Sequence, residues 1–198
     1  MADDIEFDFK DLIFRKDRWG WTDPDNEDLV KAFVDVDRIV QPKKIVEIGM
    51  FAGHSTLLMF KKFQHLEKIW SYDLSETSRL NAKQIQKHYN LVYNNRVIWN
   101  DEHKYALENI DLVFVDGNHI DPDPRHDIRS AIKIKPRYIL IDNIEQPGVR
   151  IASKLDHKLW DIKYKPKYYF YTNQKYSSVT KRELLSPGIM GLFCMENY

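Results

Sequence analysis

Between Lys44 and Asp142, five short β-branched runs alternate with segments of helical period, and this alternation constrains the fold more than any other feature. The runs are KIVEIG (Lys44 to Gly49), KIWSYD (Lys68 to Asp73), RVIWN (Arg96 to Asn100), DLVFVDG (Asp111 to Gly117) and RYILID (Arg137 to Asp142). Their interiors are nearly continuously apolar, as parallel strands covered on both faces require. Helices are expected over His54 to Phe63, Glu76 to Tyr89, and roughly Lys104 to Asn109. A fourth starts with Asp123 as N-cap and Pro124 at the first helical position and runs to about Ile134. A fifth follows Pro147-Gly148 and reaches about Trp160. Repeated strand–helix alternation gives a doubly wound α/β sheet. A capped amphipathic helix in DPDNEDLVKAFVDVDRIV precedes the first strand. Two extended runs, WDIKYKPKYYFYT and GIMGLFCMEN, close the chain as an antiparallel pair appended to the parallel sheet.

Composition narrows the setting. At 198 residues the chain suits one well-buried domain and is short for two. Lys and Arg balance Asp and Glu at 30 each, so no global field draws nucleic acid or an anionic membrane. No apolar run approaches the roughly 18 residues of a membrane span, and the acidic start, MADDIEFDFKDLIF, lacks the apolar core of a signal peptide. The lone cysteine, Cys194, cannot form an intrachain disulfide and suits a reducing compartment. The expectation is a single soluble cytoplasmic domain over 1–198, with an N-terminal cap and helix over 1–40, a binding core over 44–148, and the last helix and terminal strands over 149–198.

The stretch VEIGMFAGHSTLLMF, Val46 to Phe60, sets two of the seven glycines four apart between the first strand and the next helix. In open parallel sheets ligands sit beyond the carboxyl ends of the strands, where strand order reverses. Gly49 and Gly53 let backbone approach a ligand closely, and Ser55 and Thr56 open a helix whose free N–H groups favour negative charge. The pattern is E-x-G-x-x-x-G. It lacks the third glycine of a dinucleotide fingerprint, and Glu47 would repel phosphate, so the turn suits a ligand with an amino group and no phosphate. Asp73 ends the second strand 24 residues after Gly49, the usual place for a carboxylate that accepts from ribose hydroxyls. A nucleoside with an amino-acid tail, S-adenosylmethionine (SAM), satisfies both acids. Taken alone, E-x-G-x-x-x-G also fits a tight turn in another α/β protein.

Three stretches carry a family likeness. EIGMFAGHS resembles the cofactor motif of class I methyltransferases, most closely the metal-dependent catechol O-methyltransferase-like group. DLVFVDGNH resembles that group's fourth strand, and YILIDNIEQPG its fifth strand with a D-N pair and a following P-G. The likeness runs from about Ile45 to Gly148. It implies a Rossmann-like class I methyltransferase fold with SAM as cofactor. The implied cofactor contacts are Glu47, Gly49, Phe51, Gly53, Ser55, Asp73 and Asp116, with Asp101 of NDEH where this superfamily often meets adenine. It also implies Mg²⁺, or another divalent cation, held by Asp116, Asp142 and Asn143. Two carboxylates and an amide are hard oxygen donors that suit Mg²⁺ and leave octahedral positions open. The residues alone also allow Asp116 and Asp142 to cap helices or bond within turns.

One position departs from the catechol enzymes, which carry a lysine base three residues after the strand-four aspartate. This chain has His119 there, and its D-G-x-H resembles metal-dependent sugar and small-molecule O-methyltransferases such as the macrolide-sugar group, where the histidine is the proposed base. The implied catalytic pair is His119 and Asp116. The implied reaction is direct displacement of the sulfonium methyl by a substrate oxygen, with Mg²⁺ lowering the hydroxyl pKa and His119 taking the proton. The expected substrate is a small hydroxylated molecule, a sugar or polyol ahead of a phenol. No nucleic acid and no membrane partner is expected, and a homo-oligomer is left open. D-G-x-H also occurs in cephalosporin-hydroxylase-like proteins of this fold, so metal-dependent chemistry of another kind, or a non-catalytic scaffold, are the rivals.

Other features carry less. RWGWTDP, Arg18 to Pro24, fits a packed staple or an acceptor lid. KYKPKYYFYTNQKY mixes lysine and aromatics, as single-stranded nucleic acid sites do, but a period-two strand with solvated lysines explains it. Cys194 reads as a buried small hydrophobe, and the histidines besides His119 have no paired metal spacing.

Overall fold

The structure, a computed structural model, describes residues 7–12, 27–100, 107–120, 122–155, 166–172 and 188–195. Its elements are α1 (Glu27–Val40), β1 (Lys44–Ile48), α2 (His54–Lys62), β2 (Lys68–Tyr72), α3 (Glu76–Ile85), β3 (Leu91–Asn94), β4 (Leu112–Val115), α4 (Asp123–Ile134), β5 (Tyr138–Ile141), α5 (Pro147–Leu155), β6 (Tyr168–Thr172) and β7 (Gly188–Cys194). The seven strands form one sheet in the order β3-β2-β1-β4-β5-β7-β6. Neighbours from β3 to β5 are parallel, and β7 runs antiparallel to both β5 and β6. The expected terminal pair is present, with the last strand lying between β5 and β6.

Alternate residues of each central strand feed two cores. Ile45, Leu112, Phe114 and Leu140 pack with Phe33 and Val36 of α1, Leu57 of α2 and Ile85 of α3. Val46, Val113, Val115, Ile139 and Ile141 pack with Ile128 and Ala131 of α4 and Ala152 of α5. This double coverage is why the strands read as unbroken apolar runs. Far from the ligand end, Asp111 clips three strands together. Its Oδ2 accepts the amides of Lys43 and Lys44 at 2.9 and 3.0 Å, and Arg137 reaches its Oδ1 at 3.2 Å.

Three expected boundaries move. The third strand is Leu91–Asn94, not Arg96 to Asn100, because Leu91, Val92 and Tyr93 take the register beside Ile69, Trp70 and Ser71. Ile98–Asn100 is instead a 3-10 turn that buries Ile98 in the α4 core. In α4, Pro122 takes the cap position and Asp123 is already helical. The third expected helix falls mostly outside the described residues, and its last residue, Asn109, has φ +57°, which no right-handed helix continues through. α5 is described to Leu155, and both RWGWTDP and residues 156–165 lie outside the described residues. Ahead of α1, Phe7 stacks on His88 at 4.8 Å and Phe9 on His54 at 6.2 Å, laying the start of the chain across α2 and α3.

Candidate active site

Strand order reverses between β1 and β4, so the crevice of an open α/β sheet opens at their carboxyl ends. Gly49, at φ +93°, is forced to be glycine by the protein's own backbone: a Cβ there would fall 2.0 Å from the Asp116 carbonyl oxygen. The two strand ends that would share a ligand are thus in direct contact. Gly53, at φ +80°, caps α2 and packs against Met50 and Ile85.

The turn between these glycines is braced from three sides. Asp73 accepts the Phe51 amide at 2.7 Å and the Ser75 amide at 2.6 Å, holding Phe51 at φ +42°. From α3, Ser78 donates to the Phe51 carbonyl at 2.7 Å and Asn81 to the Ala52 carbonyl at 2.8 Å. Beneath, Glu47 accepts from Ser55 (2.7 Å), Thr56 (2.7 Å) and Ser71 (2.6 Å). Glu47 has no exposed surface. Burial pushes its carboxyl up to about 7, against the pull of those three hydroxyls. The direct contact with a cofactor amino group expected of Glu47 therefore gives way to a supporting position behind the turn.

The ends of β4 and β5 are built differently. Asp116 follows β4, its amide bonded to the Ile48 carbonyl at 2.8 Å, and its side chain is 23% exposed beside the turn. His119 Nε2 stands 3.6 Å from Asp116 Oδ1, an ion-pair contact longer than a hydrogen bond. Burial opposes charge on His119, but Asp116, Asp142 and Gln146 outweigh it and hold the imidazole above its ordinary value. Asp142 is buried, and its Oδ1 has no partner. Burial, then the Asp116 charge, push its carboxyl well above the usual range, with His119 pulling the other way. Asn143 follows at φ +51°, its Nδ2 directed at Glu145 Oε1 at 3.5 Å. Glu145 in turn accepts the Ile189 amide at 2.9 Å, tying this loop to β7.

The donors at these strand ends are oxygens. The orphaned Asp142 oxygen, the Asp116 carboxylate whose charge it feels, and Asn143, whose amide nitrogen is directed at Glu145, include the hard oxygen donors that Mg²⁺ takes. Among the described residues no group of three or more His, Cys, Asp or Glu closes around one point.

Of the residues singled out in the sequence, Gly49, Phe51, Gly53, Asp73 and Asp116 meet at one crevice, and His119, Asp142 and Asn143 join it from the β4 and β5 ends. Ser55 is buried and faces Glu47. Asp101 lies outside the described residues. Ser78, Asn81 and Gln146 were missed. Ser78 and Asn81 share one turn of α3 with buried Ala82, so their polarity on a core-facing stripe was the available signal.

Residues 46–142, just under half of the chain and reaching from β1 to the end of β5, match the family described as a methyltransferase domain. No curated protein matches. Among solved structures the chain is similar to the O-methyltransferase of Bacillus cereus in complex with SAH, at 16% identity and a TM-score of 0.62, over 88% of this chain and 82% of that one. It is also similar to the O-methyltransferase of Streptomyces achromogenes involved in tomaymycin synthesis, in complex with SAM, at 16% identity and a TM-score of 0.56, over 84% and 79%. A third is the ribosomal protein L11 methylase of Lactobacillus delbrueckii subsp. bulgaricus, at 12% identity and a TM-score of 0.57, over 89% and 81%. At such identities the structures establish the fold, that of class I methyltransferases, and relatives of this fold act on quite different acceptors. The domain match and the shared fold together support a SAM-dependent methyltransferase.

Proposed function

We propose that the protein transfers the methyl group of SAM to a hydroxyl oxygen of a small molecule, a sugar, polyol or phenol, with help from Mg²⁺ or another divalent cation. The observation that carries this reading is the contact of Gly49 with Asp116, which sets the nucleoside turn directly against an acid–histidine pair. SAM supplies a methyl on a sulfonium leaving group, and a divalent cation supplies a Lewis acid that makes a hydroxyl easier to deprotonate.

The chain's own part is positioning and proton transfer. Asp73 keeps lone pairs for ribose hydroxyls while it fixes Phe51. Asp116, partly exposed beside Gly49, offers the carboxylate for the cofactor's amino group that buried Glu47 cannot offer directly. Asp116, Asp142 and Asn143 would hold the cation. His119 takes the hydroxyl proton, and its proximity to two carboxylates stabilises the imidazolium that results.

The test is methyl-labelled SAM incubated with a panel of sugars, polyols, phenols and, as a contrast, peptides, with and without Mg²⁺. Label on a hydroxyl oxygen, reduced at least a hundredfold in His119→Ala and lost with chelator, is the expected result. Label carried only by peptide nitrogen would overturn the acceptor class.

A further inference from the structure

The chemistry above makes no use of Tyr93, the third residue of the edge strand β3. It lies in register with Ser71 of β2, and its ring packs against the core that α1, α2 and α3 cover. The hydroxyl reaches past the end of β2, where it donates to the Asp73 carbonyl at 2.9 Å and lies 3.4 Å from the Ser75 carbonyl. Burial, then the charges of Asp73 and Glu76, push the phenol up to about 12, so it stays a donor throughout the neutral range.

The turn it meets bridges two fixed points. At one end the Asp73 amide makes the last bond toward β3, to the Asn94 carbonyl at 3.1 Å. At the other, Ser75 caps α3 by accepting the Ser78 amide at 3.0 Å. Leu74, between them, is 64% exposed and gives the turn no buried anchor. The Asp73 carboxylate spans this turn, with Oδ1 on the Ser75 amide at 2.6 Å and Oδ2 on the Phe51 amide at 2.7 Å. Its Oδ1 bond lasts only while the peptide planes between Asp73 and Ser75 keep their tilt. The Ser75 carbonyl already receives the Arg79 amide at 3.1 Å, so the Asp73 carbonyl is where the Tyr93 hydroxyl acts.

We propose that Tyr93 is a positioning residue for the cofactor's ribose: by fixing the Asp73–Leu74 peptide it sets the direction in which the Asp73 carboxylate meets the ribose hydroxyls. The role rests on Asp73 being the ribose acid of the proposed function. It adds a determinant of cofactor affinity on the outermost strand, one residue removed from the nucleoside.

The test is calorimetry of the full chain with SAH and with its 2′,3′-dideoxy analogue, in the unmodified protein and in Tyr93→Phe, which keeps the ring and its packing and removes only the hydroxyl. The unmodified protein should bind SAH at least about tenfold more tightly than the analogue. Tyr93→Phe should weaken SAH about three- to tenfold, the worth of one hydrogen bond, and leave the analogue within about twofold, so that the preference for the hydroxyls shrinks by the same factor. Equal weakening of both ligands marks a turn that has only loosened and overturns the proposal, as does a preference retained in full. An unmodified protein that does not distinguish the two ligands refutes the ribose role of Asp73 and the proposal with it, a result read before any substitution is made.

Discussion

The two halves of the crevice are opposite kinds of structure. At the turn after β1 both acids are engaged in the fold: Glu47 accepts three hydroxyls and Asp73 two amides. At the ends of β4 and β5 the network is left unfinished, with Asp142 buried, its Oδ1 unpartnered and its carboxyl pushed up by burial and by Asp116. A finished hydrogen-bond network fixes shape before any ligand arrives, which is what binding a nucleoside requires. An unfinished one holds charge that a cation or a substrate proton can relieve. Under the proposed function, the contrast separates a site of recognition from a site of chemistry within one loop's width.

Breaking the finished half should cost the most. Glu47→Ala leaves three buried hydroxyls without their acceptor, and at pH 6 should lower stability by about 3 kcal/mol, a fall in the melting midpoint of roughly 6–12 °C. The contrast would blur if that midpoint barely moved.

Relieving the unfinished half should go the other way. The folded-state pKa of Asp142 is raised, so the unfolded chain ionises first as pH climbs past the ordinary aspartate value, and the fold loses stability until the raised value is passed. In chelator, Asp142→Asn should therefore stabilise by about 2 kcal/mol at pH 8 and by nothing below the ordinary aspartate range. Urea titrations at both ends of that range check the sign.

Asp73→Ala should cost about 1–2 kcal/mol through its two amide bonds and weaken SAM binding at least tenfold, read by calorimetry. At the bottom of the scale, Arg79→Ala removes a solvent-exposed partner of Glu76 on α3 and should leave the midpoint unmoved.

Much of this was legible in the sequence, for physical reasons. β1, β2, β4 and β5 are covered on both faces and so read as apolar runs, and Gly49 marks a backbone contact that no side chain permits. β3 was placed five residues late because LVY and VIW, on either side of Asn94-Asn95-Arg96, are equally apolar, and only the register with β2 chooses between them. The bracing of the turn was hidden because Ser78 and Asn81 bond to carbonyls 27 and 29 residues earlier, a distance no local pattern encodes. Glu47 looked like a ligand contact because burial cannot be read from a motif.

The measurement that tests the central contrast most directly is calorimetric titration of metal-stripped protein with SAM and then with Mg²⁺, in the unmodified chain and in Asp142→Asn. The account expects saturable SAM binding in both proteins and a Mg²⁺ response only in the unmodified one. A SAM response without any Mg²⁺ response in the unmodified protein would contradict it, leaving the charge at the β4 and β5 ends to some other purpose.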